Sequence, residues 1–154
     1  MYNLNTQEKI RNYILSSSEI VHDSVLLAPN IEKSITAIVK CLRKGNKVVL
    51  FGNGGSAADA QHIAAEFIGR FKIKRKSLPA IALSDNPSTI TAISNDFSFD
   101  MVFSRQCESL ISKGDVVIGI STSGNSLNVK KGINTSKNNG AITIGLLGNN
   151  GGSI

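Results

Sequence analysis

From residue 45 onward the chain repeats one grammatical unit: a short run of β-branched and aliphatic residues, a small-residue loop, then a stretch with helical spacing. The runs cover 47–51, 79–83, 115–120 and 141–147. Such near-continuous apolar runs denote strands covered on both faces, as in a parallel sheet, because a strand with one wet face would alternate. The stretches between them, 56–71, 100–111 and 126–138, carry helical periodicity, with a shorter one at 88–94. A βα succession of this kind predicts an α/β fold: a right-handed, doubly wound parallel sheet of three flavodoxin-like layers.

Two helices precede the first strand. Asn5 with Glu8 three residues on reads as a capping box, and Ile10, Tyr13, Ile14, Ser17, Val21 and Val25 fall near one stripe. This helix is expected to stop before Pro29. The second starts near Asn30, with Ile31, Ile35, Ile38, Val39 and Leu42 on one face and Gly45 as its stop. Residues 1–45 thus form a helical segment and 46–154 the sheet, within a single domain of 154 residues.

Composition removes several function classes. No apolar run approaches the ~20 residues of a membrane span, and the stretch Met1–Ile10 is too polar for a signal peptide, which predicts a cytoplasmic protein. Cys41 and Cys107 lie in apolar-periodic segments without metal-ligand spacing and read as buried free thiols. The formal charge of +6, from 17 Lys+Arg against 11 Asp+Glu, suits an anionic partner. Its densest part, Arg70, Lys72, Lys74, Arg75 and Lys76, has one interleaved aromatic, Phe71, and no helical register, so it reads as a solvated loop and makes nucleic acid an unlikely partner.

Ligands of doubly wound sheets bind beyond the carboxyl ends of the strands, where helix N-termini point inward. Two loops occupy that place. Gly52-Asn53-Gly54-Gly55-Ser56 follows the first strand, and its three glycines exceed what a turn needs. Gly52, Gly54 and Ala57 meet the loose dinucleotide pattern, but about 20 residues on, where an acid should hold the ribose, the chain is basic. No Gly-Lys-Ser/Thr follows either, so no nucleotide cofactor is expected. The second loop, Ser121-Thr122-Ser123-Gly124-Asn125-Ser126, brings four hydroxyls and a glycine to a helix start, where one hydroxyl would suffice as a cap. That composition predicts a phosphate cradle.

Asp59, His62 and Glu66, three and four apart, share one face of the helix after the first loop. His62 and Glu66 at i and i+4 can share a divalent metal or move a proton, and the same spacing also describes a solvated stripe. His22, on the first helix, reads as surface or a helix contact. Asn95-Asp96, in the loop after the short helical stretch, can be turn chemistry or can hold sugar hydroxyls.

Taken together, 52–62, Glu66, Gly69-Arg70, Asn95-Asp96, 103–106 and 121–126 resemble the phosphoheptose isomerases, the sedoheptulose-7-phosphate isomerases of the sugar isomerase (SIS) domain class. The resemblance runs from the N-terminal helices to the end of the chain. It implies a cytoplasmic homotetramer with the N-terminal helices at the subunit interface, a substrate site between subunits, and a role in heptose biosynthesis. It further implies that Asn53, Gly54, Gly55 and Ser56 contact the substrate, that Asn95 and Asp96 hold sugar hydroxyls, and that Ser121, Thr122, Ser123 and Ser126 hold the phosphate. Glu66 matches the family's catalytic glutamate, next to the glycine loop in sequence, with His62 beside it. His62 and Glu66 also match two ligands of the zinc found in some members.

Members of the family continue through another strand to a final helix bearing a glutamine and a histidine, whereas this sequence ends at Ile154. The expected activity is the conversion of sedoheptulose 7-phosphate to D-glycero-D-manno-heptose 7-phosphate through an enediol. The alternative is a non-catalytic SIS protein that binds a sugar phosphate or regulates a DNA-replication initiator partner. Relatives of that second kind match the Ser/Thr loop but are poorer at Gly55 and Glu66.

Overall fold

The structure, a computed structural model, describes residues 5–154; the first four residues of the polar N-terminal stretch lie outside the described residues. Two compact units are present, one ending at Thr36 and one running from Ala37 to Ile154.

In the first unit, α1 (Thr6–Asp23) begins at Asn5, whose Oδ1 accepts the Gln7 N–H at 3.2 Å. The cap is therefore real, but its side-chain bond goes to Gln7 and not to the expected capping-box position Glu8. The helix tightens into a 3-10 turn over Ser24–Leu27, and α2 follows over Ala28–Arg43. α1 thus stops before Pro29, as expected, and Pro29 lies in the first turn of α2. A first-turn N–H has no intrahelical acceptor, so a proline there removes no helical bond. The α1 stripe is exposed on this chain, with Tyr13 at 77% and Val21 at 72%. His22 is exposed as well.

The second unit is built on four parallel strands, β1 (Val48–Gly52), β2 (Ala80–Ala82), β3 (Val116–Ser121) and β4 (Ile142–Leu147), in the order β2-β1-β3-β4. β1 is buried along its whole length because both faces are covered. Alternate residues point to opposite faces. Val48 and Leu50 therefore join Ala60 and Ala64 of α3 (Gly55–Ile68) and Cys41 near the end of α2. Val49 and Phe51 instead join α5 (Val102–Leu110) and α6 (Leu127–Asn138), where Phe51 stacks on Phe103 with ring centres 4.8 Å apart. Between β2 and α5 lie α4 (Pro87–Asp96) and a 3-10 turn, Phe99–Met101. The three expected layers and the doubly wound order are both present.

This order fixes where a site can form. β1 pairs with β2 on one side and with β3 on the other, Gly52 lying opposite Ile120. The chain's winding reverses between β1 and β3, so the loops leaving these two strands open a crevice at a topological switch point.

The opposite, amino end of the sheet is held by Asp115. Its carboxylate accepts the Lys47 ammonium at 2.7 Å, the Lys47 N–H at 3.1 Å and the Ser112 N–H at 2.8 Å, while the side chain is 2% exposed. Burial works to raise this carboxyl, but the bonds from Lys47 and Ser112 outweigh it and hold the group below the ordinary aspartate range. Asp115→Ala takes the acceptor from the half-buried Lys47 ammonium and from the Lys47 and Ser112 N–H groups, and is expected to lower the unfolding free energy by about 3 kcal/mol. Because folding depresses this pKa, the contribution is complete above the unfolded value of about 3.9 and fades as pH falls through the lower, folded one. Urea unfolding of both proteins across that range checks it; a difference unchanged into strong acid would contradict the assignment.

Cys41 and Cys107 are buried and free, and burial pushes the Cys107 thiol up to about 11. Burial pushes the Cys41 thiol up as well, which disfavours the nucleophilic thiolate at both positions. Among the described residues, no helix is long and apolar enough to cross a membrane.

Candidate functional site

The first loop is shaped by what its glycines leave out. A Cβ on Gly52 would lie 2.7 Å from the Ser56 Cβ and 2.8 Å from the Ile120 carbonyl oxygen, so only glycine lets β1, α3 and β3 meet there. Gly54 sits at φ +54, in the region that favours glycine, and forms the N-cap of α3 without any side-chain cap bond. Gly55 needs neither excuse: a Cβ there would meet nothing within 4 Å. Its missing side chain leaves space in front of the helix N-terminus, as the excess of glycines predicts. Ser56 is buried beneath the loop, and Asn53 is half-buried.

The second loop draws its hydroxyls together. Ser121, 3% exposed at the end of β3, has its Oγ 3.1 Å from the Ser126 Oγ and 3.4 Å from the Ser123 Oγ. The Ser123 Oγ also accepts the Asn125 N–H at 3.1 Å, and Thr122 is exposed. Ser126 is the N-cap residue of α6 but makes no side-chain cap bond. Its hydroxyl turns to Ser121 instead, toward the other loop hydroxyls. By contrast α4 is closed in the ordinary way, with the Asn86 Oδ1 accepting the Thr89 N–H at 3.1 Å. The dipole of α6 and three converging hydroxyls make an anion-binding arrangement that requires no lysine.

His62 and Glu66 come together as their spacing predicts, His62 Nε2 lying 3.5 Å from Glu66 Oε1. They line a cleft of about 380 Å³ with Ile63, Phe67, Phe71 and Arg75. Their relation to the glycine loop differs from what adjacency in sequence suggests. At 1.5 Å per residue, Glu66 stands roughly 16 Å along α3 from Gly55, and His62 roughly 10 Å. Asp59 does not join them: among the described residues, no group of three His, Cys, Asp or Glu side chains could hold a metal.

Asn95 and Asp96 are not in a loop. α4 continues to Asp96, where Asn95 Nδ2 donates to Asp96 Oδ1 at 2.9 Å, and both side chains are exposed. α3 is shorter than its periodicity predicts, ending at Ile68 and not at Phe71. Arg75 accounts for this, its guanidinium donating to the carbonyls of Glu66 at 2.7 Å, Phe67 at 2.8 Å and Lys76 at 2.9 Å. The rest of the basic run is exposed, as expected, with the Lys72 ammonium 5.4 Å from the Phe71 ring centre.

Two residues escape the sequence reading, Arg75 and Asn128. Arg75 is hidden among lysines that look the same in composition. Asn128 resembles an ordinary polar residue of a first helical turn, yet it is 3% exposed and exchanges two hydrogen bonds with Asn53. Its signal is helical phase, since Asn128, Gly132 and Ser136 recur every four residues on the buried face of α6.

Comparison with known proteins agrees with this layout. The SIS domain family matches residues 12–148. The chain is 54% identical to the phosphoheptose isomerase of Geobacter sp. (strain M21) over 128 residues, which is 83% of this chain and 67% of that one. With the phosphoheptose isomerase of Aquifex aeolicus it shares 51% over 148 residues, 96% of this chain and 78% of the relative. The structure of the phosphoheptose isomerase from Neisseria gonorrhoeae superimposes with a TM-score of 0.91 at 38% identity, covering 97% of this chain and 79% of that one. The chain spans about two thirds of the length of several curated relatives, 62% for the one from Pelobacter propionicus. Identity above one half along most of this chain, with the same fold, is more than a shared architecture demands, and the chain belongs to the phosphoheptose isomerase family of SIS-domain proteins.

Proposed function

We propose that this protein is an aldose–ketose isomerase that converts sedoheptulose 7-phosphate to D-glycero-D-manno-heptose 7-phosphate through an enediol. The observation that carries the reading is the loop after β3: Ser121, Ser123 and Ser126 converge in front of the α6 N-terminus, whose N-cap Ser126 makes no side-chain cap bond. A phosphate dianion there accepts from those hydroxyls and the Thr122 hydroxyl and is stabilised by the helix dipole. The open space at Gly54 and Gly55 lets the sugar approach the backbone, with Asn53, the backbone at Ser56, Asn95 and Asp96 on its hydroxyls.

The reaction moves one proton between neighbouring carbons. Glu66 removes it from C1 of the ketose, the enediol forms, and the same carboxylate returns it to C2 of the aldose while the two oxygens exchange a proton. His62 is placed to hold Glu66 in register or to take part in the oxygen-side transfer. Glu66 stands well along α3 from the glycine loop of its own chain, which supports a site completed by a second copy. The exposed stripe on α1 supports a homotetramer whose N-terminal helices cover one another. His62 and Glu66 offer an imidazole and a carboxylate within reach of one ion, and these would be its ligands from this part of the chain if zinc is held. A zinc ion there would polarise the substrate carbonyl as a Lewis acid. The cytoplasm is the compartment this reading implies.

Proton NMR in D₂O tests the reaction. The ketose is expected to give an aldose signal with deuterium at C2, because a carboxylate carrying the proton exchanges it with solvent. Ketose that persists unchanged in the presence of folded protein would refute the assignment.

A further inference from the structure

The two ligand loops are joined by a pair of amides. Asn53 Nδ2 donates to Asn128 Oδ1 at 2.9 Å, and Asn128 Nδ2 donates back to Asn53 Oδ1 at 2.9 Å, across 75 residues of sequence. Asn128 is 3% exposed, whereas Asn53 is half-buried at the crevice mouth. The pair therefore has an inner and an outer member.

A third bond gives the pair a direction. The Val129 N–H in the first turn of α6 donates to Asn128 Oδ1 at 2.9 Å. A backbone N–H can meet only the oxygen end of an amide, so this bond settles which way Asn128 faces. Asn128 Oδ1 then requires a donor from Asn53, and Asn128 Nδ2 requires an acceptor. Both demands fix the Asn53 amide in a single orientation. One Nδ2 hydrogen and one Oδ1 lone pair of Asn53 stay uncommitted to this ring, and their directions follow from the same constraint.

We infer that Asn128 is a positioning residue for the sugar-phosphate site: it reads the backbone of the phosphate-loop helix and thereby sets the donor and acceptor directions that Asn53 offers to the sugar. The inference rests on the function proposed above, in which Asn53 meets the sugar and the Ser/Thr loop meets the phosphate. It assigns Asn128 no contact with the substrate. Its action is on the sugar half of the ligand, through Asn53, and not on the phosphate half.

Titration calorimetry with two ligands separates those halves. Sedoheptulose 7-phosphate and inorganic phosphate are each titrated into wild type, Asn53→Ala, Asn128→Ala and the double variant. Asn128→Ala is expected to weaken the sugar phosphate by about tenfold while changing inorganic phosphate less than twofold, and to add nothing once Asn53 is alanine. Asn128→Leu, which keeps the buried volume, is expected to show the same split and serves where the alanine variant fails to fold. Equal weakening of both ligands would mean that Asn128 merely supports the start of α6 and would overturn the inference. So would additive effects of the two substitutions, or no effect on either ligand. If wild type binds neither ligand, the proposed function itself falls and this inference falls with it.

Discussion

Glu66→Gln is expected to leave a folded protein whose turnover is lower by about 10²- to 10⁴-fold, the range over which a positioned general base acts. Glutamine keeps the size and the hydrogen-bonding reach of the side chain but cannot accept a proton from carbon. The Glu66 side chain is 40% exposed and its neighbour His62 is 76% exposed, so the substitution removes little that the fold depends on. Stability should change by no more than about 0.5 kcal/mol. The Michaelis constant should hardly move, since the carboxylate acts on the proton in flight and the phosphate carries the affinity. Steady-state kinetics with a thermal melt on the same samples decides the matter. Turnover within tenfold of wild type would transfer the base role to another group, and a collapsed melt would show Glu66 to be structural.

How far the sequence speaks for itself differs between elements, for physical reasons. The four strands stand within about a residue of their apolar runs; for β1 and β3 the reason is burial on both faces, whereas β4, expected to be covered likewise, is an edge strand that leaves Ile142 and Leu146 exposed on this chain. The glycine and hydroxyl loops were legible for a related cause: residues that a turn or a cap does not need, such as Gly55 and the serines beyond Ser126, stand out by surplus. Helix ends were less legible. The extent of α4 to Asp96 and the end of α3 at Ile68 depend on which partner reaches the last carbonyls. For α3 that partner is Arg75, one cation in a run of five. Three-dimensional distance was the least legible quantity. Glu66 follows the glycine loop closely in sequence, yet a helix converts eleven residues into roughly 16 Å, enough to separate base and loop within one copy.

Asn128 shows the same limit from the other side. Its partner lies 75 residues away, so no local pattern announces the pair. What makes the pairing obligatory is burial: a buried amide without partners would cost more than its bonds return, and Asn53 supplies Asn128 with both a donor and an acceptor. Fold and site are linked here, because the β1–β3 register that places Gly52 opposite Ile120 also brings the two asparagines within reach.

Ser121→Ala combined with Ser123→Ala is expected to weaken sedoheptulose 7-phosphate by ~100-fold or more, about 2.7 kcal/mol. Hydrogen bonds to a charged group contribute ~1.5 to 3 kcal/mol each, so the loss of two should reach that figure even after some compensation by water. The fold should survive with a cost near ~1 kcal/mol. Ser121 Oγ bonds only to hydroxyls that can rotate to new partners, and the Asn125 N–H released by Ser123 stands in an exposed turn open to water. The same argument fixes how ligand and protein should couple. Sedoheptulose without its phosphate should bind the wild type much more weakly than the phosphorylated sugar, because it leaves the hydroxyls bonded to each other. The double variant should distinguish the two sugars far less, having already lost the groups that read the phosphate. Calorimetry of both sugars on both proteins closes a thermodynamic cycle, and its coupling energy is the quantity of interest. A value near zero would place the phosphate somewhere other than the N-terminus of α6, whereas a value near that of the double substitution itself would assign the whole effect to the phosphate.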